Sequence, residues 1–201
     1  MNVAIIDYGA GNVPSVERAL QKLGANPARV GNTEGLAAAQ VVVLPGVGHF
    51  SALIRALDQR GLREPLVEGI KRGKPFLGIC LGLQALHESS EEAPELMGLG
   101  IFPGKVCALP SNVKLPHMGW NRLKIRRESP LLDGLTDQHY FYFAHSFAAG
   151  AANGETQAVC EYGVEFGAVL CADRICAVQF HPEKSGEAGA KLLENFLRMA
   201  A

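Results

Sequence analysis

Apolar positions fall in two alternating patterns through the first half of the chain. Short uninterrupted runs at 2–6 (NVAII), 41–44 (VVVL) and 75–79 (PFLGI) are bounded by Gly, Pro or Asn and are too short for helices. They read as parallel strands, whose two faces are both covered and so need no polar side. Between them, 13–23 and 51–60 carry apolar residues at helical spacing, so strand and helix alternate as in a doubly wound sheet. From 101 to 180 the pattern changes: GIFPGKVCAL, NRLKIR, YFYFAHSF, TQAVCEY and ICAVQF follow one another with turns and almost no helical spacing. These runs predict antiparallel strands added to the sheet. A closing amphipathic helix over 186–199 gathers Leu192, Leu193, Phe196 and Leu197 on one face. The expected architecture is α/β: one domain over 1–201, with a central, mostly parallel sheet flanked by helices and added antiparallel strands in the second half.

Composition narrows the function classes. A chain of 201 residues, 48% hydrophobic, suits one core. Nineteen basic against twenty acidic residues leave a net charge of -1 with no basic stripe, which excludes a nucleic-acid partner. The start, MNVAIID, has no basic leader, and no stretch of about 18 apolar residues occurs, so a soluble cytoplasmic protein without membrane contact is expected. Cysteines at 80, 107, 160, 171 and 176 are odd in number and irregular in spacing, fitting neither a disulfide framework nor a metal knuckle. At least four of them read as inert core residues. His49, His87, His117 and His139 have no ligand spacing to a cysteine or carboxylate and read as structural or interfacial, so neither a metal nor an organic cofactor is expected. GAGN at 9–12 begins like a dinucleotide fingerprint, but Pro14 stands where the third glycine belongs, leaving a tight turn. Residues 88–98 (ESSEEAPELMG) read as an exposed acidic loop.

Chemistry concentrates in two places. GICLGLQ at 78–84 sets Cys80 between a strand and an expected helix start, with Gly78 and Gly82 two residues to either side. This is a cysteine form of the nucleophile elbow, in which a sharp turn exposes the nucleophile and demands small flanking residues. A helix amino terminus also favours the thiolate. Taken alone, the motif also fits, less well, a buried cysteine beside packing glycines. The second place is QFHPE at 179–183, where Pro182 pushes His181 out of the helical region. Extended residues two apart point the same way, so His181 and Glu183 can share a face as a base and the carboxylate that orients it.

With these residues in view, the chain resembles the class I, triad-type glutamine amidotransferases, whose signatures are a G-x-C-x-G-x-Q elbow and a late F-H-P-E. Within them it is similar to the glutaminase subunits of imidazole glycerol phosphate synthases, through DYGAGN (7–12), LPGVGHF (44–50), KLPHMGWN (114–121), FAHSF (143–147) and VQFHPEKSG (178–186). The resemblance implies a Cys80, His181, Glu183 triad and a pocket for L-glutamine formed by Gln84, Glu92, His145, Ser146 and Phe147. It also implies oxyanion donors from Val47 and Gly48 of the PGVG loop and from Leu81. Such donors are worth about 3 to 4 kcal/mol in comparable sites. It further implies a heterodimer with a (βα)8-barrel cyclase subunit, docked over a surface that includes Trp120, Asn121, Tyr142 and Lys184. Another triad glutaminase, a cysteine peptidase or deglycase, and an inactive regulatory subunit are the competing readings. Leu81 argues against the second, whose members place histidine after the nucleophile, and the intact triad argues against the third.

Overall fold

A computed structural model describes residues 1–152 and 154–201. The first half is the expected alternation: β1 (Asn2–Ile6), α1 (Val13–Lys22), β2 (Asn26–Val30), α2 (Thr33–Ala38), β3 (Val41–Gly46), α3 (Phe50–Gln59), α4 (Arg63–Lys71), β4 (Phe76–Cys80) and α5 (Leu81–Ala85). Strands β3 and β4 are buried along their whole length, as their unbroken apolar runs require. Two layers of core follow. Val16 and Leu20 of α1 pack with Phe180, Leu192 and Phe196 on one side of the sheet, while Leu53, Ile54 and Leu57 of α3 pack with Leu66, Ile70 and Phe76 on the other.

The second half comprises β5 (His87–Ser90), β6 (Phe102–Ala108), β7 (His117–Arg122), β8 (Lys124–Ile125), β9 (Tyr140–His145), β10 (Phe147–Ala149), β11 (Thr156–Glu161), β12 (Glu165–Ala172), β13 (Ile175–Val178) and the closing α6 (Gly186–Ala200). The main sheet runs β2-β1-β3-β4-β13-β12-β11-β8, parallel from β2 through β13 and antiparallel beyond. The expected antiparallel extension is therefore present, with three differences. ICAVQF supplies β13, which lies parallel to β4 inside the sheet, and β6 and β10 leave it to form a small sheet with β5. Strands β7 and β9 pair with each other as a separate ribbon.

Two further expectations need correcting. The 88–98 segment begins inside β5, and Gly98 is seated so tightly that a Cβ there would lie 2.0 Å from the His87 carbonyl oxygen. Of the cysteines read as core, Cys160 and Cys176 are buried, but Cys107 sits on the exposed side of β6. Among the described residues, no helix is long and apolar enough to cross a membrane, and no group of three or more His, Cys, Asp or Glu could hold a metal ion.

Candidate active site

Cys80 ends β4 and caps α5 with φ 55° and ψ −106°, a conformation that costs a side-chain-bearing residue about 1 to 3 kcal/mol. The strand-to-helix reversal is possible because its flanks lack side chains. A Cβ on Gly82 would lie 1.9 Å from the Leu44 carbonyl oxygen, and one on Gly78 would lie 2.7 Å from that of Gly82. On the two neighbouring strands, the end of β3 runs into the PGVG loop and the chain after β13 carries His181. All three segments meet at the carboxyl ends of adjacent parallel strands, where open α/β sheets form their binding crevices.

The imidazole of His181 donates from Nδ1 to Glu183 Oε1 at 2.9 Å, and both side chains are buried. The same oxygen accepts a bond of 3.0 Å from Asn12 Nδ2, so the GAGN turn reaches the carboxylate. Burial alone would lower the His181 pKa. Its hydrogen bonds and charge interactions with Cys80 and Glu183 outweigh burial and raise it to about 10, which keeps the ring protonated beside the sulfur at neutral pH. The loop is held from behind: His181 N–H donates to the Tyr142 carbonyl at 2.8 Å, Tyr142 N–H to Ser185 Oγ at 2.9 Å, and Ser185 Oγ–H to the His181 carbonyl at 2.7 Å.

One cavity is lined by Cys80 together with Val47, Gly48, Leu81, Gln84, Glu92, Ala144, His145, Ser146 and Phe147. Every residue expected to bind glutamine or its oxyanion is thus brought to the sulfur. A roomier cleft of about 480 Å³, between α2 and α4, opens at the amino ends of β3 and β4 and holds none of them. The polar groups of the small cavity are ordered from one point, the Phe147 carbonyl. It accepts from Gln84 Nε2 at 2.7 Å and from His145 Nδ1 at 2.9 Å. His145 Nε2 is then an acceptor and takes the proton of His117 Nδ1 at 3.0 Å. Burial lowers His117 to about 4 and His145 to about 3, so both rings are neutral at pH 7. Glu92 Oε2 accepts from Phe50 N–H at 2.7 Å, at the start of α3. In the PGVG loop, Val47 N–H donates to the Tyr8 hydroxyl, 3.2 Å away. Burial raises Tyr8 to about 12, so this hydroxyl stays a neutral phenol.

The family model for class I glutamine amidotransferases matches residues 4–200. The chain belongs to the class I glutamine amidotransferases. It is 49% identical over 197 residues to the imidazole glycerol phosphate synthase subunit HisH of Methanothermobacter thermautotrophicus, covering 98% of each chain. It is 48% identical over 196 residues to the protein of that name from Desulfitobacterium hafniense, covering 96% of this chain and 92% of the relative. A solved structure described as a glutamine amidotransferase superposes with a TM-score of 0.79 at 19% identity, over 98% of both chains, which speaks for the shared fold.

In this amidotransferase the residues expected at a partner surface divide between two faces. Trp120, 56% exposed, meets Tyr142 edge to face at 6.0 Å, and Lys184 lies 5.6 Å above the Tyr142 ring. Asn121 alternates to the other side of β7, where its Nδ2 donates to the Glu161 carbonyl at 3.1 Å and faces His117 Nε2 at 3.4 Å. Met118 and Tyr140 share the exposed face and were not singled out by the sequence, although period-two alternation from Trp120 and from Tyr142 would have found them. Asn12, Ser185, Tyr8 and Gln179 were also missed as site residues. All four lie within DYGAGN and VQFHPEKSG, but their contacts span up to 171 positions of chain and have no local signature.

Proposed function

We propose that the whole chain, 1–201, is the glutamine-hydrolysing subunit of an imidazole glycerol phosphate synthase, acting in the cytoplasm in histidine biosynthesis. The observation that carries the reading is Cys80 at a strained elbow, against a protonated His181 held by Glu183, in a cavity lined by every residue expected to bind glutamine. The Cys80 thiolate attacks the side-chain carbonyl carbon of L-glutamine, forming a C–S bond and a tetrahedral oxyanion facing Leu81 N–H, at the unpaired first turn of α5. Collapse breaks the C–N bond, and His181 gives its proton to the departing nitrogen, releasing ammonia. Water then adds to the glutamyl thioester while His181 takes up its proton. The sulfur leaves with its electron pair, and glutamate is released.

Ammonia freed at neutral pH is protonated and lost unless an acceptor site is close by. The Trp120, Tyr142 and Lys184 patch, contiguous with the catalytic loop through the Tyr142 backbone, supports docking of a (βα)8-barrel cyclase subunit as a heterodimer. That partner uses the ammonia to make imidazole glycerol phosphate and aminoimidazole carboxamide ribotide. The bond between Val47 N–H and Tyr8 supports gating, in which docking favours a loop conformation with that N–H turned to the oxyanion. Glutamate release is measured for the chain alone and with the cyclase subunit and its nucleotide ligand. The proposal expects slow release alone and fast release in the complex. Cys80→Ala should abolish glutamine-dependent synthesis and spare ammonia-dependent synthesis. Equal rates with and without the partner contradict gating, and no release in either case contradicts the function.

A further inference from the structure

Gln179 follows β13, two residues before His181, and has no exposed surface. A buried primary amide must place two donors and an acceptor, and its neighbours decide which end points where. The Phe147 carbonyl can only accept, so the Gln84 nitrogen 2.7 Å from it is an NH2 group. That nitrogen also lies 3.2 Å from Gln179 Oε1, a contact that requires oxygen on the Gln179 side. The Gln179 NH2 is thereby turned the opposite way, where Nε2 lies 3.6 Å from Cys80 Sγ. We propose that Gln179 is a catalytic residue of the glutaminase reaction, donating an N–H bond to the Cys80 sulfur whenever that sulfur carries negative charge. The inference rests on Cys80 being the nucleophile.

As a thiol, Cys80 directs its proton at the Ala144 carbonyl oxygen, 3.9 Å away. In the ion pair with protonated His181 the sulfur has no proton, and that contact sets an anionic sulfur against a carbonyl oxygen with no hydrogen between them. Gln179 supplies a donor to the sulfur, and bonds to an ionised acceptor are about twice as strong as neutral ones. The donor serves at two points: before attack, when the thiolate forms, and in hydrolysis of the thioester, when the C–S bond breaks and sulfur departs with the electron pair. Its position is fixed because Gln84, which lines the glutamine cavity, holds the other end of the amide. Pocket and nucleophile are joined through this one side chain.

The test uses the full chain in complex with its partner, as wild type, Gln179→Met and Gln179→Glu. Methionine keeps length without a donor, and Gln179→Met should lower kcat about 10- to 100-fold with KM changed less than about threefold. Alkylation of Cys80 by iodoacetamide, which needs neither glutamine nor partner, should slow in parallel at pH 7, and its half-maximal pH should move upward. Gln179→Glu should be slower still at neutral pH and recover as pH falls, because a protonated carboxyl regains a donor. If a thermal melt shows that Gln179→Met does not fold, Gln179→Asn, which withdraws the amide by one methylene, takes its place with the same expected direction. Wild-type kcat and alkylation profiles in the variants, or a raised KM at constant kcat, overturn the proposal. A wild-type chain that releases no glutamate fails the functional reading instead, and the alkylation profiles still report on the amide–sulfur contact.

Discussion

The elbow stores backbone strain, and that strain can be measured by removing the sulfur in two ways. Cys80→Ala and Cys80→Gly both delete the nucleophile, so neither should release glutamate, and they differ by a single Cβ at φ 55° and ψ −106°. In ordinary ordered positions glycine is less stable than alanine by about 0.5 to 1 kcal/mol, because its unfolded chain is freer. At this dihedral pair a Cβ carries about 1 to 3 kcal/mol, and with Cys80 only 4% exposed, solvent offers no relief. The balance reverses the usual order and makes the glycine variant more stable by up to about 2.5 kcal/mol. For a chain of this size that is a thermal midpoint higher by up to about 10 °C. Calorimetry of the two variants under one buffer condition reads the difference. An alanine variant that melts at or above the glycine variant would refute the claim that strain is held at the nucleophile.

Tyr8→Phe removes the hydroxyl that occupies Val47 N–H, so glutamate release by the chain without its partner should rise while the complex changes little; an unchanged basal rate counts against a latch at Tyr8. His117 and His145, lowered to about 4 and 3 by burial, stay neutral in the fold while the unfolded chain takes up their protons below about pH 6.5. Their contribution is therefore present above pH 6.5 and is lost as pH falls toward 4 and 3, at up to about 1.4 kcal/mol per pH unit for each ring. Urea unfolding at a series of pH values should show this slope, and a flat stability between pH 6.5 and 4.5 contradicts it. Substituting Trp120 or Lys184 should weaken binding of the cyclase subunit without lowering the melting temperature, as titration of the two subunits would report.

What the sequence made legible follows from where the signal lies. Strands β1, β3 and β4 are covered on both faces, so their apolar runs announce them, and α1 and α3 each turn a full stripe to the core. Strand β2 escaped notice because, as an edge strand containing Pro27, it buries Val30 alone, and α4 because it buries just Leu66 and Ile70. The partition of the later strands among three sheets depends on long-range pairing that alternation cannot specify. In the site, Cys80, His181 and Glu183 stand in motifs whose glycines and proline have local geometric reasons. The direction of Asn121 and the link from Gln84 through Gln179 to sulfur arise where separate strands converge.

Hydrolysis through a covalent bond to Cys80 leaves a glutamyl thioester on the enzyme during turnover. Acid quenching of the complex at steady state with glutamine, followed by peptide mass spectrometry, detects it. A glutamyl adduct should appear on the peptide containing Cys80, increase in a variant whose His181 can no longer assist water, and be absent from Cys80→Ala. Turnover that continues with no adduct at Cys80, or with one on another residue, contradicts the account.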